Sequence, residues 1–188
     1  MSAEKLVLGL AGMPGSGKSL VVAAAKEIGY AVVVMGDVVR EETIRVGLEP
    51  NPKNIGKKML ELRQMEGESV IAKRCIPKIV QARHPKVLVD GIRSLIEVEE
   101  FKKHFRKFNL LAIHASPETR FNRLCRRKRS DDPSGWEIFQ ERDMRELSVG
   151  LGSAIAMAEY IILNEENREV VKNKITRVLR KVEEKWIK

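Results

Sequence analysis

Aromatic residues make up only 5% of this 188-residue chain, and none interrupts its densest basic run, Arg126 to Arg129. Stacking platforms for single-stranded nucleic acid are therefore scarce, which makes a nucleic-acid binder the less favoured class without removing it. Cysteine is nearly absent: Cys75 and Cys125 lie far apart, no CxxC pair occurs, and only three histidines accompany them. That excludes a disulfide scaffold and a zinc finger and fits a reducing compartment, so a cytoplasmic protein is expected. No apolar run approaches the roughly 18 residues of a membrane-spanning helix, and residues 1–5 lack a signal-peptide layout, so no membrane partner is expected. Glycine and proline number only 13 and 7, against 43% hydrophobic and 32% charged residues, which rules out disordered and collagenous classes.

The length suits one domain of roughly 100–200 residues with a substantial core. Lys and Arg total 35 against 26 Asp and Glu, a formal net charge of +9, and this favours an anionic partner. Nucleic acid, acidic lipid and phosphorylated small molecules all satisfy that condition.

Hydrophobic runs and turn residues alternate regularly along the chain. Residues 6–11 read as a strand ending in a glycine-rich turn, and residues 18–28 as a helix. A β-branched run at 31–35 predicts a second buried strand, after which Asp37 is placed to cap a helix running towards Arg45. Residues 54–83 read as helical, with interruptions expected at Gly67 and Pro77, so segment 47–83 is expected to form a helical insertion. Val87 to Val89 predicts the third strand, and Ser94 with Glu97 forms a capping-box pattern for a helix to Phe105. A fourth strand is expected at 110–114, then a helix opened by Ser116, Pro117 and Glu118. Residues 136–149 read as helix, 160–163 as the fifth strand, and 168–186 as a terminal amphipathic helix; no repeat or linker appears. This rhythm predicts an α/β fold, a five-stranded parallel sheet with helices on both faces, with ligands gathering after Ala11, Met35, Val89 and His114.

Gly12-Met13-Pro14-Gly15-Ser16-Gly17-Lys18-Ser19 matches GxxxxGK[ST], the phosphate-binding loop, and lies between a predicted strand and a predicted helix as that motif requires. At average residue frequencies its constrained positions coincide by chance in about one chain of this length in a hundred. The glycines let consecutive backbone N–H groups converge on an anion, Lys18 reaches the β and γ phosphates, and Ser19 offers an oxygen to Mg²⁺. The loop does not decide whether the γ-phosphoryl passes to water or to a second substrate. Asp90 ends a buried strand where an acidic residue is expected to hold Mg²⁺ beside Ser19; a helix-capping role is the alternative. Arg123, Arg126, Arg127 and Arg129 precede a polar loop, and Arg142 and Arg145 follow it. That layout suits a short lid at about 126–136 that surrounds a moving phosphoryl group with positive charge, although a solvated basic helix face is the plainer alternative.

These blocks resemble the nucleoside-monophosphate-kinase branch of P-loop proteins, and in particular an archaeal family related to adenylate kinase and dephospho-CoA kinase. The resemblance is in blocks but spans the chain. Met35-Gly36-Asp37-Val38-Val39-Arg40 is similar to the block whose arginine binds the acceptor phosphate, which implies that role for Arg40. Asp90-Gly91-Ile92-Arg93 resembles the block that organises Mg²⁺ and contacts phosphate, which implies those roles for Asp90 and Arg93. The resemblance also implies nucleotide contacts for Arg123, catalytic contacts for Arg127 and Arg142, and a lid motif at Arg129 to Asp132. Ala158 to Asn164 is similar to the last strand of dephospho-CoA kinases, whose following backbone helps hold the base.

The expectation is a P-loop small-molecule kinase that uses ATP and Mg²⁺ and takes a phosphorylated, nucleotide-type acceptor. A dephospho-CoA-like acceptor needs a carboxylate to take a proton from a ribose hydroxyl, and Asp37 stands where that base belongs; an N-cap is its other reading. The lid is short for an adenylate kinase, and Met35 replaces the threonine near the acceptor base. A regulatory or nucleic-acid-associated ATPase is the third reading, kept open by the net charge. Arg63, Glu66 and Arg74 on the insertion are further acceptor contacts or simply helical surface charge.

Overall fold

Strand β1 (Leu6–Ala11) is buried along its whole length, as a central parallel strand covered on both faces must be. The computed structural model describes residues 4–127 and 132–187. Around β1, strands β2 (Ala31–Val34), β3 (Lys86–Ile92), β4 (Phe108–His114) and β5 (Tyr160–Leu163) form one sheet in the order β2-β3-β1-β4-β5, every pair parallel. The P-loop therefore leaves the centre of the sheet, between the carboxyl ends of β3 and β4.

Strand alternation sends side chains to two cores. Leu6, Leu8, Leu10, Leu88, Leu111, Ile113 and Ile162 face helices α1 (Lys18–Glu27) and α9 (Arg168–Ile187). Val7, Ala11, Val87, Val89 and Leu110 face the helices on the other side: α2 (Met35–Arg45), α3 (Pro52–Glu66), α4 (Val70–Gln81), α5 (Leu95–His104) and α8 (Leu151–Ala156). Between β4 and α8 run α6 (Pro117–Arg127) and α7 (Trp136–Ser148). Gly9 matters on this second face, because a Cβ there would stand 2.7 Å from the Phe108 ring. Its absence leaves room for Phe108 to stack on Phe101 at 5.7 Å between ring centres.

The register of β1 against β3 slips once, pairing Leu10 with Asp90 but Ala11 with Ile92. Gly91, at φ +106°, is the extra residue. The bulge turns Ile92 into the second core and leaves Asp90 at the strand's end beside the P-loop.

The strands and the longer helices coincide with the sequence reading, with four local differences. Helix α2 begins at Met35 with Val34 as N-cap, so Asp37 lies in the first turn and is not the cap. Pro77 does not interrupt α4, because both Pro77 and Lys73, whose carbonyl loses its helical donor, lie on the exposed face where water serves it. The other expected interruption, at Gly67, is present, with φ +92°. Helix α8 follows Gly150, φ +100°, in a stretch to which the sequence reading assigns no element. The segment 47–83 divides: α4 buries Val70, Ile71, Ala72, Cys75 and Ile79 in the second core, while α3 lies at its margin, where Leu62 is the one fully buried apolar residue among the described side chains and Ile55 and Met59 are partly buried against the core.

Candidate functional site

Residues 12–17 connect β1 to α1, and three glycines make the turn possible. A Cβ at Gly12 would lie 2.6 Å from the Ile113 carbonyl, Gly15 and Gly17 hold φ of +82° and +101°, and a Cβ at Gly17 would collide with the Asn164 side-chain amide. The loop is braced from outside as well. Asn164 Nδ2 donates to the Ser16 carbonyl at 2.8 Å, and Arg120 Nη1 donates to the Pro14 carbonyl at 3.3 Å. Met13 is buried, and Ser16 Oγ is buried without a hydrogen-bond partner.

Lys18 opens α1 and turns back over the loop, donating to the Gly12 carbonyl at 2.6 Å and to the Met13 carbonyl at 3.4 Å. Burial pushes its ammonium below the ordinary lysine range; Asp90 opposes this, Arg93 adds to it, Glu146 opposes it and Arg142 adds to it. Among the described residues, those four groups are near enough to act on its charge. Burial likewise raises the Asp90 carboxyl, against the pull of Lys18 and Arg93 and with a further push from Asp37. Asp90 Oδ1 is buried without a hydrogen-bond partner. Ser19 lies exposed in the first turn of α1.

The fold thus gathers Lys18, Asp90, Arg93 and Arg142 at the P-loop, with Asp37 acting on Asp90 across the gap. Asp37 is exposed and carries no hydrogen bond or ion pair among the described residues, and the same holds for Arg40 one turn further along α2. Arg123 Nη2 donates to the Asn164 carbonyl at 2.8 Å, which joins α6 to the end of β5. Arg127, at the end of α6, is turned to Asp132, its Nε 3.1 Å from Oδ2. The Arg129 to Asp131 part of the lid motif lies outside the described residues.

Two of the insertion's charges serve the fold. Arg63 is buried and pairs with buried Glu97 at 2.7 Å, which ties α3 to α5. Glu97 departs from the capping box: Ser94 Oγ accepts from the Glu97 amide at 3.3 Å, but the Glu97 carboxylate accepts from the Arg93 amide at 2.7 Å. Arg74 pairs with Glu42 and Glu66.

Three charged residues of the site escape sequence reasoning. Buried Arg120 grips Asp143 of α7 with both terminal nitrogens, at 2.8 and 2.5 Å, lies 4.9 Å from the Phe139 ring centre and reaches the P-loop through Pro14. Glu146, one turn after Asp143, binds Arg93 at 3.0 Å. The available signal was weak: Arg120 sits four residues before buried Leu124, a charge at a core position, which implies a buried partner without naming it.

The AAA domain family profile matches residues 11–140, from the end of β1 through the P-loop into α7. A UPF0200 protein of Hyperthermus butylicus is 47% identical over 177 residues, covering 94% of this chain and 95% of its own. The chain belongs to the UPF0200 family. A second UPF0200 protein, from Methanocaldococcus jannaschii, is 45% identical over 179 residues, with 94% and 90% covered. Among solved structures, shikimate kinase from Bacteroides thetaiotaomicron superposes with a TM-score of 0.61 at 17% identity, covering 95% of this chain and 98% of that one. A gluconokinase from Sinorhizobium meliloti superposes with 0.58 at 13% identity, covering 98% of each. This UPF0200 chain therefore has the fold of P-loop small-molecule kinases, and its relatives are archaeal proteins.

Proposed function

We propose that this chain is a kinase that moves the γ-phosphoryl group of Mg-ATP to a nucleotide-type small-molecule acceptor, within one domain whose α3 and α4 flank the acceptor and whose residues 126–136 form a lid. The observation that carries the reading is a P-loop over which Lys18 turns back, donating to the Gly12 and Met13 carbonyls, with Asp90 paired beside the end of β1 and Arg93 and Arg142 near enough to act on the lysine's charge. An acceptor-independent NTPase has less need of so many cations beside the transferred group, whereas transfer to a bound acceptor is catalysed chiefly by positioning and charge neutralisation.

In this reading the backbone N–H groups of Met13 and of residues 15–19 bind the ATP phosphates, Pro14 having none to give, and Lys18 exchanges the Gly12 carbonyl for phosphate oxygen. Arg123, held against Asn164, lies beside the base, Arg40 and Arg93 take the acceptor's oxyanion, and Arg127 and Arg142 face the moving group. The residues fit Mg²⁺: Asp90 offers a buried oxygen with no other partner, and Ser19 offers its hydroxyl. Among the described residues no cluster of His, Cys, Asp and Glu forms a self-sufficient metal cage, which suits an ion that takes its remaining ligands from phosphate and water. Bound there, Mg²⁺ supplies charge neutralisation of the triphosphate. No helix among the described residues is long and apolar enough to cross a membrane, and a cytoplasmic setting agrees with the cysteine usage.

One observation favours a second acceptor chemistry. Because Val34 and not Asp37 caps α2, the Asp37 carboxylate is uncommitted and can take a proton from a hydroxyl acceptor, as a dephospho-CoA kinase requires. ADP formation from Mg-ATP, measured against nucleoside monophosphates, dephospho-CoA, shikimate and gluconate with Lys18→Ala as background, separates these. Stimulation by a monophosphate supports the first reading. Stimulation by a hydroxyl acceptor, abolished in Asp37→Asn, supports the second. Slow turnover that ignores every acceptor and is lost in Lys18→Ala points to a regulatory or nucleic-acid-associated ATPase.

A further inference from the structure

Helix α7 carries the charges Asp143 and Glu146 one turn apart, and both pair with arginines beside the P-loop. Asp143 is committed to Arg120 and, through it, to the Pro14 carbonyl. Glu146 is committed to Arg93, the residue that leaves β3 just beyond the bulge. Its Oε2 lies 3.0 Å from Arg93 Nη1, and its side chain is only 14% exposed. The same nitrogen lies 3.8 Å from the Met59 sulfur of α3. The nearest approach of each is to Nη1; Nε and Nη2 carry no hydrogen bond among the described residues.

A guanidinium that only neutralises a carboxylate does so best through two parallel bonds, as Arg120 does with Asp143. Arg93 is instead held by one corner, with the Nε and Nη2 edge left open, and that edge has the fork geometry that matches two oxygens of a phosphate or carboxylate. An unheld arginine loses much rotamer freedom when it binds an anion; one already fixed at Nη1 loses less. We propose that Glu146 is the positioning residue of Arg93, holding it by Nη1 so that its Nε and Nη2 edge receives an oxyanion of the acceptor. Its influence on Lys18 agrees with that location, since the carboxylate is close enough to oppose the lowering of the lysine. The acceptor part of the inference rests on the kinase reading; the contact does not.

Three substitutions separate positioning from charge. Glu146→Gln keeps an oxygen at full reach and removes the charge; Glu146→Asp keeps the charge and withdraws the oxygen by one methylene; Glu146→Ala removes both. With any acceptor that stimulates turnover, positioning predicts a KM for acceptor raised about ten-fold or more in the Ala and Asp variants, and within about three-fold of the parent in the Gln variant. The KM for Mg-ATP should stay within about two-fold in all three. A Gln variant as impaired as Ala, an Asp variant that behaves like the parent, or an equal rise in both KM values overturns the proposal. If no acceptor stimulates turnover, the kinase reading fails on its own, and inorganic phosphate titrated calorimetrically into the Mg-ADP complex replaces the acceptor as probe. The same order of affinities, Gln close to the parent and Ala and Asp about ten-fold weaker, then supports the positioning role, and equal affinities in all four proteins overturn it.

Discussion

Gly17 bears the strictest steric demand in the loop, since it combines a left-handed φ of +101° with the Asn164 amide where a Cβ would stand. Gly17→Ala should destabilise the protein by about 1–3 kcal/mol and weaken Mg-ATP binding, both read from denaturant unfolding and nucleotide titration. The two cysteines should separate cleanly. Burial pushes the Cys75 thiol up to about 12, whereas Cys125 is exposed. At pH 8 one thiol should react with a thiol reagent in the native protein and two in denaturant, because the reactive thiolate of Cys75 is withheld until its burial is lost. At this scale the P-loop residues were legible as a local pattern in which each position has its own physical reason. Arg120 and Glu146 were not, because a charge on a helix reads as solvated surface until the element facing it is known.

Among the helices, α3 and α5 are joined by the Arg63–Glu97 pair, whose side chains are 4% and 1% exposed. Burial raises the Glu97 carboxyl despite the guanidinium beside it, and two further Arg63 nitrogens have no partner, so the pair holds two desolvated charges in balance. Removing one partner is therefore far worse than removing both. Glu97→Ala should cost about 3–5 kcal/mol in urea unfolding, and the double change Arg63→Met with Glu97→Leu should lie much closer to the parent or exceed it. Helices α6 and α7 meet differently, through Phe121, Trp136 and Phe139 packed edge to face and the Arg120–Asp143 clasp. The strands and long helices were readable because their periodicities are local. The start of α2, the uninterrupted α4 and the extra α8 were not, because exposure, packing and solvation decided them after the chain had folded.

For the whole molecule, the sheet order places the P-loop strand centrally, between β3, which carries Asp90 near its end, and β4, which ends in His114. Ligand binding at such a junction ties both cores together. Mg-ADP at a hundred times its Kd should add about 2.7 kcal/mol and raise the melting temperature on the order of 5–10 °C in a scanning fluorimetry assay. Lys18→Ala should lose most of that rise while melting normally without nucleotide. The net charge of +9 acts at this scale too, favouring anionic ligands by long-range attraction that salt screens.

The amino-acid sequence alone determined the class: a glycine-rich anion-binding turn between strand and helix, repeated β-α units and a basic balance are consequences of local sterics and composition. The side-chain partners were decided only by the tertiary structure. Arg93 with Glu146, Arg120 with Asp143 and Pro14, Arg63 with Glu97, and Asn164 with Ser16 join residues brought together by the parallel crossovers. Which charge is buried beside which depends on the packing of whole elements, and no local spacing encodes it.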